Sequence, residues 1–222
     1  MIKRLRQSGK FELTLLLIMM SIFCFALSLS RYYLTGSLRY LFLNWNLFLA
    51  FIPWLVTTAI MISPGLHTKK IVLIGLLALW LLFFPNAPYI LTDLFHLSKQ
   101  STAPIWFDTV LVLSFAWTGL SFGVVSLIDI ESLLSKNFKW LTVKCIIITL
   151  LFIASFGIYL GRFLRWNSWD ILDEPLGIMH DIGDRIINPF SYPRTWGMTI
   201  LFGVLLNMMY WTIKLIREKK PV

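Results

Sequence analysis

The chain has 222 residues, of which 58% are hydrophobic and 14% are charged. Soluble domains carry about 25% charged residues and lack repeated apolar runs of about 20 residues, so the composition excludes an ordinary soluble protein. The formal net charge is +9, but the basic residues cluster at the ends of apolar runs, where they set topology and meet lipid headgroups. No basic helix interleaved with aromatic residues lies outside these runs, so nucleic acid is not an expected partner.

The N-terminal segment is basic, and an apolar run over residues 13–29 follows it. A basic start followed by an apolar core is also typical of a signal peptide, and Ala26-Leu27-Ser28 loosely resembles a cleavage site. Further apolar runs follow along the chain, however. We therefore interpret the first run as an uncleaved membrane-spanning helix.

Six apolar runs are long enough to cross a hydrocarbon core of about 30 Å at about 1.5 Å per residue. They predict an all-α polytopic membrane protein with a single six-helix transmembrane domain over residues 1–222. The predicted spans are residues 13–29, 41–62, 71–94, 106–128, 141–163 and 196–216.

The distribution of lysine and arginine predicts the orientation. Of the 20 basic residues, 13 lie at the N-terminus, in the second and fourth loops, and in the C-terminal tail. Because cytoplasmic segments carry the excess of positive charge, both termini are predicted to be cytoplasmic. Most polar residues of chemical interest then fall on the outer face.

The third span is interrupted by Pro85, Asn86 and Pro88, about 22 Å from Lys70 at 1.5 Å per residue. The two prolines lack N–H groups, and backbone groups freed inside a membrane need partners. Two interpretations stay open. The segment is either a kinked helix whose break is capped by Asn86, or the wall of a polar pocket in the outer leaflet.

Aromatic and basic residues follow the fifth span. Trp166 and Trp169 suit the membrane interface, while Arg162 and Arg165 suit lipid phosphate or a carboxylate such as Asp170. Plain interfacial anchoring explains the same pattern. A ligand site would be formed by these five residues, and Asn44, Asn46 and Asn86 would join it on the outer face.

An amphipathic helix is predicted over residues 175–187, starting at Asp173-Glu174-Pro175 and ending at Asn188-Pro189. One half of its helical wheel is apolar, and the other half carries His180, Asp181, Asp184 and Arg185. Such a helix would lie on the outer surface or cover the bundle.

Two pairs of potential metal ligands lie on helical faces: Asp93 with His96, and His180 with Asp184. Asp108 and Asp181 are two further potential ligands. Together they could hold zinc or another divalent metal and leave a position for water, as a metal-dependent hydrolase requires. The spacing matches no established motif, and helix caps and ion pairs such as Asp181 with Arg185 would explain the same residues.

Two Gly-x-x-x-Gly patterns, Gly119/Gly123 and Gly157/Gly161, predict close packing of helices within the molecule.

Three blocks of the sequence resemble a known bacterial membrane protein family, domain of unknown function 1361. These blocks are Phe84–His96, Asn44–Ala50 and Gly157–Asp170. The resemblance covers nearly the whole chain and implies a multi-pass protein of the bacterial plasma membrane. It implies no activity.

The sequence ranks three kinds of function. First is a binding or assembly subunit whose outward-facing polar site takes a membrane lipid, another membrane protein or a lipid-linked substrate. Second is a metal-dependent hydrolase or transferase that acts on such a substrate. A transporter ranks last, because only one span is interrupted and intramembrane charges are few.

Overall fold

The computed structural model describes residues 2–63, 65–66, 69–97 and 102–218. These residues form helices and connecting loops and contain no β-strand. Six of the helical segments are long and apolar enough to cross a membrane. Lys99, Lys219 and Lys220, which contribute to the predicted topology, lie outside the described residues. The all-α, six-span prediction is confirmed.

The chain divides into two compact units, Met1–Ser132 and Leu133–Val222. The first unit holds four of the spans and the second holds two. The helices of the first unit are α1 (Ile2–Gln7), α2 (Phe11–Thr35), α3 (Phe42–Ile62), α4 (Lys70–Phe83), α5 (Asn86–Tyr89) with a 3-10 segment (Ile90–His96), and α6 (Ile105–Leu134).

The first unit is held together by side-chain bonds between α2 and α6 at three levels. Lys10, just before α2, pairs with Asp129; Cys24 lies 3.3 Å from the hydroxyl of Thr118; and Arg31 pairs with Asp108. Residue numbers rise along α2 as they fall along α6, so the two helices are antiparallel. The first apolar run is thus an integrated span along its whole length.

The break in the third span is a change of helix type rather than an open loop. Asn86 donates its side-chain amide to the Phe83 carbonyl at 3.0 Å, which satisfies a backbone group near the proline-disturbed turn. The chain continues through α5 into the 3-10 segment. This bond agrees with the kinked-helix interpretation.

The segment after the break packs closely on the glycines of α6. A Cβ atom on Gly119 would lie 3.0 Å from the Ala87 carbonyl oxygen, and one on Gly123 would lie 2.9 Å from the Ala87 Cβ. The prediction that Gly119 and Gly123 form an intramolecular packing face is confirmed.

The second unit consists of two spans and the segment between them. Its elements are α7 (Trp140–Tyr159) with a π-helical turn (Leu160–Leu164), α8 (Asp170–Asp173), α9 (Pro175–Ile187), a 3-10 turn (Pro189–Ser191) and α10 (Pro193–Glu218). Helices α7 and α10 pack against each other, with Gly203 directly against the ring of Phe152.

The predicted span limits differ from the observed ones where a helix continues past its apolar part. Helix α2 runs six residues past 29, through Arg31, and ends before Gly36, whose φ is 65°. Helix α6 runs past 128 to Leu134, because Asp129 is neutralised by Lys10 instead of ending the helix. The amphipathic helix was predicted with its observed limits, 175–187.

Candidate functional site

The first unit contains a buried ion pair near the end of its first span. Arg31 and Asp108 are each 1% exposed. The Arg31 Nε donates to the Asp108 carboxylate at 2.7 Å and Nη2 donates to its second oxygen at 3.4 Å. A buried charge needs such a partner, and two parallel N–H bonds are the strongest form of it. Asp108 therefore neutralises Arg31.

Tyr40 extends this pair into a wider polar network. Its ring lies under the Arg31 guanidinium, 4.6 Å from it, and its hydroxyl donates to the His96 carbonyl oxygen at 3.1 Å. Burial, and next the nearby Asp108 carboxylate, raise the pKa of Tyr40. Its hydroxyl therefore stays protonated and keeps donating.

The Asp93–His96 pair lies at the other end of this network. His96 Nε2 is 4.0 Å from an Asp93 carboxylate oxygen, and Asn46 donates to the second oxygen at 2.9 Å. Asp93 is buried, whereas the side chain of His96 is 48% exposed. A fixed buried carboxylate thus faces an imidazole that is open to its surroundings.

The predicted asparagines mostly bind the protein itself. Asn44 donates to the hydroxyl of Ser28 at 2.9 Å, Asn46 donates to Asp93, and Asn86 donates to a backbone carbonyl. Each of these bonds orients an amide group. The asparagines therefore support the network of the first unit.

In the second unit, Trp166 fastens helix α9 by bonding Asp181, which also forms an ion pair with Arg185 within the helix. The Trp166 indole N–H donates to Asp181 at 2.7 Å, and Arg185 donates to the same carboxylate at 2.9 Å. The Trp166 ring also lies against Gly177, where an added Cβ would be 3.1 Å from it. The predicted ion pair between Asp181 and Arg185 is confirmed.

Asp184 accepts a second set of hydrogen bonds, near the end of the same helix. Tyr192 donates its hydroxyl to one carboxylate oxygen, and Asn188 donates to the other at 2.7 Å. The hydrogen bond from Tyr192, and next that from Asn188, lower the pKa of Asp184. The same bond raises the pKa of Tyr192.

The orientation of α9 differs from that of a simple amphipathic surface helix. Arg185, on its polar half, is buried, while most apolar side chains on the other half are exposed and only Ile178 of them is buried. The exposed apolar side chains of α9 and its flanks are those of Leu172, Leu176, Met179, Ile186, Ile187 and Phe190. Asp181 and Asp184, on the polar half, are bonded by Trp166 and Tyr192 of the same unit, so the exposed apolar side chains point away from these contacts.

An open cleft of about 290 Å³ lies between the end of the fifth span and the start of α9. It is lined by Leu164, Arg165, Trp166, Asp170, Asp173 and Glu174. Arg165 has a φ of 63°, a left-handed conformation that is uncommon outside glycine and that ends the π-helical turn. Arg165, Trp166 and Asp170 of the predicted ligand set therefore line one cleft, whereas Arg162 and Trp169 do not.

The charged side chains that line this cleft are mostly not bonded to other side chains. Asp170 accepts the backbone N–H of Asn167 at 2.6 Å. Among the residues that the structure describes, the side chains of Arg165, Asp173 and Glu174 form no hydrogen bond or ion pair. An arginine and two carboxylates are thus available in one concave site.

The four residues predicted to hold a metal fall into two pairs, one in each unit. Asp93 is bonded by Asn46, and Asp184 has a partner on each oxygen. His180 is exposed and lies near Asp184. Within the described ranges, no group of three or more His, Cys, Asp or Glu side chains is placed to hold a metal ion. A metal shared by both pairs stays a prediction.

Sequence reasoning did not single out Arg31, Tyr40 or Glu174. Arg31 lies beyond the first predicted span, residues 13–29, and Tyr40 carries no local pattern. Glu174 was interpreted only as part of a helix start. The charge of Arg31 inside a continuous helical pattern was the one available signal, because an intramembrane charge needs a partner.

Comparison with known proteins gives one finding. The family model described as "Protein of unknown function (DUF1361)" matches residues 45–209. No curated protein and no solved structure matches the chain. Because the matched region covers well over half of the sequence, the chain belongs to the DUF1361 family.

Proposed function

We propose that this protein is a lipid- or partner-binding subunit of the bacterial plasma membrane, with its polar site on the outer face. The observation that carries the proposal is the cleft with unpaired charges at the end of the fifth span. Ligand sites are typically concave and combine an apolar wall with a few polar groups. Leu164 and Trp166 supply that wall, and Arg165 supplies the most directional polar group.

The surroundings of the cleft support a membrane ligand. The apolar half of α9 is exposed, with Leu176 79% and Ile187 77% accessible. A helix with such a half lies in the interface with its apolar side chains in the acyl boundary. Trp166 suits the same depth, since its ring is apolar and its N–H is polar. The cleft would then open at the level of lipid headgroups.

Charged residues that are paired within the fold can be distinguished from charged residues that are available to a ligand. Arg31, Asp108, Asp129, Asp181 and Asp184 are all engaged by other side chains. Those residues stabilise the fold and need no ligand. The charges of Arg165, Asp173 and Glu174 are exposed and carry no such bond within the described part of the chain, so they are free to contact a ligand or a partner.

Lipid retention tests this proposal. The full chain, purified in mild detergent and extensively delipidated, is expected to retain or rebind lipid molecules that native mass spectrometry counts as discrete adducts. A Trp166→Ala variant should bind fewer of them, whereas Trp117→Ala, at an exposed site outside the cleft, should match the wild type. Absence of adducts on the wild type, together with absence of a copurified membrane protein, would contradict the proposal.

A second candidate is a metal-dependent hydrolase or transferase acting on a lipid-like or lipid-linked substrate at the outer face. The Asp93–His96 pair favours it, because a buried carboxylate beside an exposed imidazole is a common feature of metal and acid–base sites. Elemental analysis of the purified full chain separates the two candidates. Stoichiometric zinc that falls in a His96→Ala variant would support the enzyme, and zinc-free protein with bound lipid would support binding.

The orientation is part of the same proposal. Both termini are proposed to be cytoplasmic on the distribution of basic residues. The cleft, α9, Asp93 and His96 would then face the exterior. Transport remains the weakest candidate, because only one predicted span is interrupted and charges within the spans are few.

A further inference from the structure

We infer that the cleft binds the head group of an amine-bearing zwitterionic phospholipid, such as phosphatidylethanolamine. This inference rests on the proposed lipid-binding function and specifies its ligand. It follows from the two signs of charge that line the cleft, from the absence of pairing between them, and from the position of the cleft beside an exposed apolar helix face.

The first step concerns the cation in the cleft. Arg165 is exposed and forms no ion pair with the acidic residues that line the same cleft. A guanidinium presents parallel N–H donors that match a phosphate in two-pronged geometry. Its left-handed backbone at φ 63° directly follows the π-helical turn that ends the fifth span. Arg165 therefore supplies a phosphate contact next to the membrane.

The second step concerns the acids. The cleft is lined by three carboxylates, those of Asp170, Asp173 and Glu174, and by one guanidinium, that of Arg165, so its lining is negative overall. A head group that carries only negative charge would meet repulsion from these residues. An ammonium group at the far end of a phosphate would instead meet carboxylate acceptors. A ligand with both charges is the one that this lining matches.

The third step concerns the arrangement of the carboxylates. No group of three or more acidic, His or Cys side chains among the described residues is placed to hold one metal ion. The ligands of a structural metal site converge to about 2 Å from a single point. An organic ammonium group needs no such convergence, because its N–H groups point in different directions, so it is the cation that we assign to the cleft.

The size of the cleft agrees with a head group rather than a whole lipid. Its volume is about 290 Å³, near the lower limit of small-molecule sites. The acyl chains would remain in the bilayer beside the exposed apolar half of α9. Trp166 is held by Asp181 and by contact with Gly177, so its ring is a fixed wall for the glycerol region.

Native mass spectrometry of the full chain in detergent tests the inference with three lipids of identical acyl chains: phosphatidylethanolamine, phosphatidylcholine and phosphatidylglycerol. We expect the first to bind tightest, because phosphatidylcholine lacks ammonium N–H donors and phosphatidylglycerol lacks the cation. Arg165→Asn, which tolerates the left-handed backbone, should weaken phosphatidylethanolamine binding about tenfold. The double variant Asp173→Asn/Glu174→Gln should weaken it similarly and shift the preference toward phosphatidylglycerol.

Matched controls remove exposed charges outside the cleft. Arg194→Gln and Glu12→Gln should leave the lipid preference unchanged, and thermal midpoints should show that every variant is folded. Soluble glycerophosphoethanolamine should compete with the lipid if the cleft recognises the head group itself. Failure to compete would mean that the acyl chains, rather than this cleft, determine binding, and it would overturn the inference.

The outcomes distinguish this inference from the function on which it rests. Equal binding of all three lipids would overturn the head-group assignment and leave the lipid-binding function intact. Tighter binding of phosphatidylglycerol, or unchanged phosphatidylethanolamine binding in both cleft variants, would also overturn it. Lack of binding to any of the three by the wild type would contradict lipid binding altogether.

Discussion

Arg31 shows at the level of a single residue how this chain accommodates charge inside a span. The guanidinium is 1% exposed, lies within α2, and is bonded by Asp108, the Ser37 carbonyl and the ring of Tyr40. A buried ion pair adds little net stability over a packed apolar pair, but removal of one partner leaves an uncompensated charge.

Single substitutions at this pair should therefore cost more than the double substitution. We expect Arg31→Met or Asp108→Leu alone to destabilise the protein by about 3–5 kcal/mol, and the combined variant to recover much of that loss. Thermal unfolding in detergent, followed by circular dichroism, measures the difference. Additive losses in the double variant would show that the two charges do not stabilise each other.

The Asp184–Tyr192 bond leads to a pH prediction. Asp184 has a lowered pKa, so its contribution to stability is complete above the ordinary carboxyl pKa of about 4 and is lost as pH falls through the lower folded-state value. Tyr192 has a raised pKa, so its contribution is complete below about 10 and is lost as pH rises through the higher folded-state value.

The thermal midpoint of the wild type minus that of Tyr192→Phe isolates this contribution. The difference should be positive and flat between about pH 4 and pH 10, and should shrink on either side. Because both proteins share every other titrating group, the subtraction removes their effects. A difference that stays constant across the whole range would mean that the hydrogen bond does not fasten α9.

At the scale of helices, the second unit depends on close contact between α7 and α10. A Cβ on Gly203 would lie 2.2 Å from a ring carbon of Phe152, whereas a Cβ on Gly197 of the same helix would meet nothing within 4 Å. Small residues at such contacts let membrane helices approach closely. Gly203 is therefore a test position for this contact, and Gly197 is its control on the same helix.

Alanine at these two positions should have opposite effects. Gly203→Ala should destabilise by about 1–3 kcal/mol through overpacking against Phe152. Gly197→Ala should be neutral or stabilise by up to about 1 kcal/mol through higher helix propensity. Thermal unfolding of both variants under one condition measures the two changes in stability. Equal changes would mean that α7 and α10 do not make their close contact at Gly203.

Helix limits and helix environment differ in how well sequence predicts them. The limits of α9 follow from Pro175 at its start and Asn188-Pro189 at its end, which are local signals. Its orientation is not local. Trp166 and Tyr192, outside the helix, bond Asp181 and Asp184, so the polar half binds protein, while most of the apolar half is exposed. A helical wheel shows that two faces exist without showing which one meets the protein.

The same distinction applies to the candidate site. Arg165, Trp166 and Asp170 were predicted because they cluster in sequence after a span, and they do line one cleft. Arg162 lies in the same sequence cluster but outside the cleft, within the π-helical turn that ends before Arg165. The partners of Arg31, Asp93 and Asn46 come from distant helices and could not be paired from sequence.

At the scale of the whole molecule, the account depends on which side of the membrane holds α9. The distribution of basic residues places Gly183 outside and Gly65, between the second and third spans, inside. Both positions have open space around an added Cβ, so a cysteine at either should fit without disturbing the fold. Replacement of Cys24 and Cys145 by alanine supplies a background without native thiols.

Labelling of whole cells with a membrane-impermeant thiol reagent tests this arrangement most directly. Gly183→Cys should react in intact cells, and Gly65→Cys should react only after lysis. The reverse pattern would place α9, the cleft and the Asp93–His96 pair in the cytoplasm and would contradict the proposed outward-facing site.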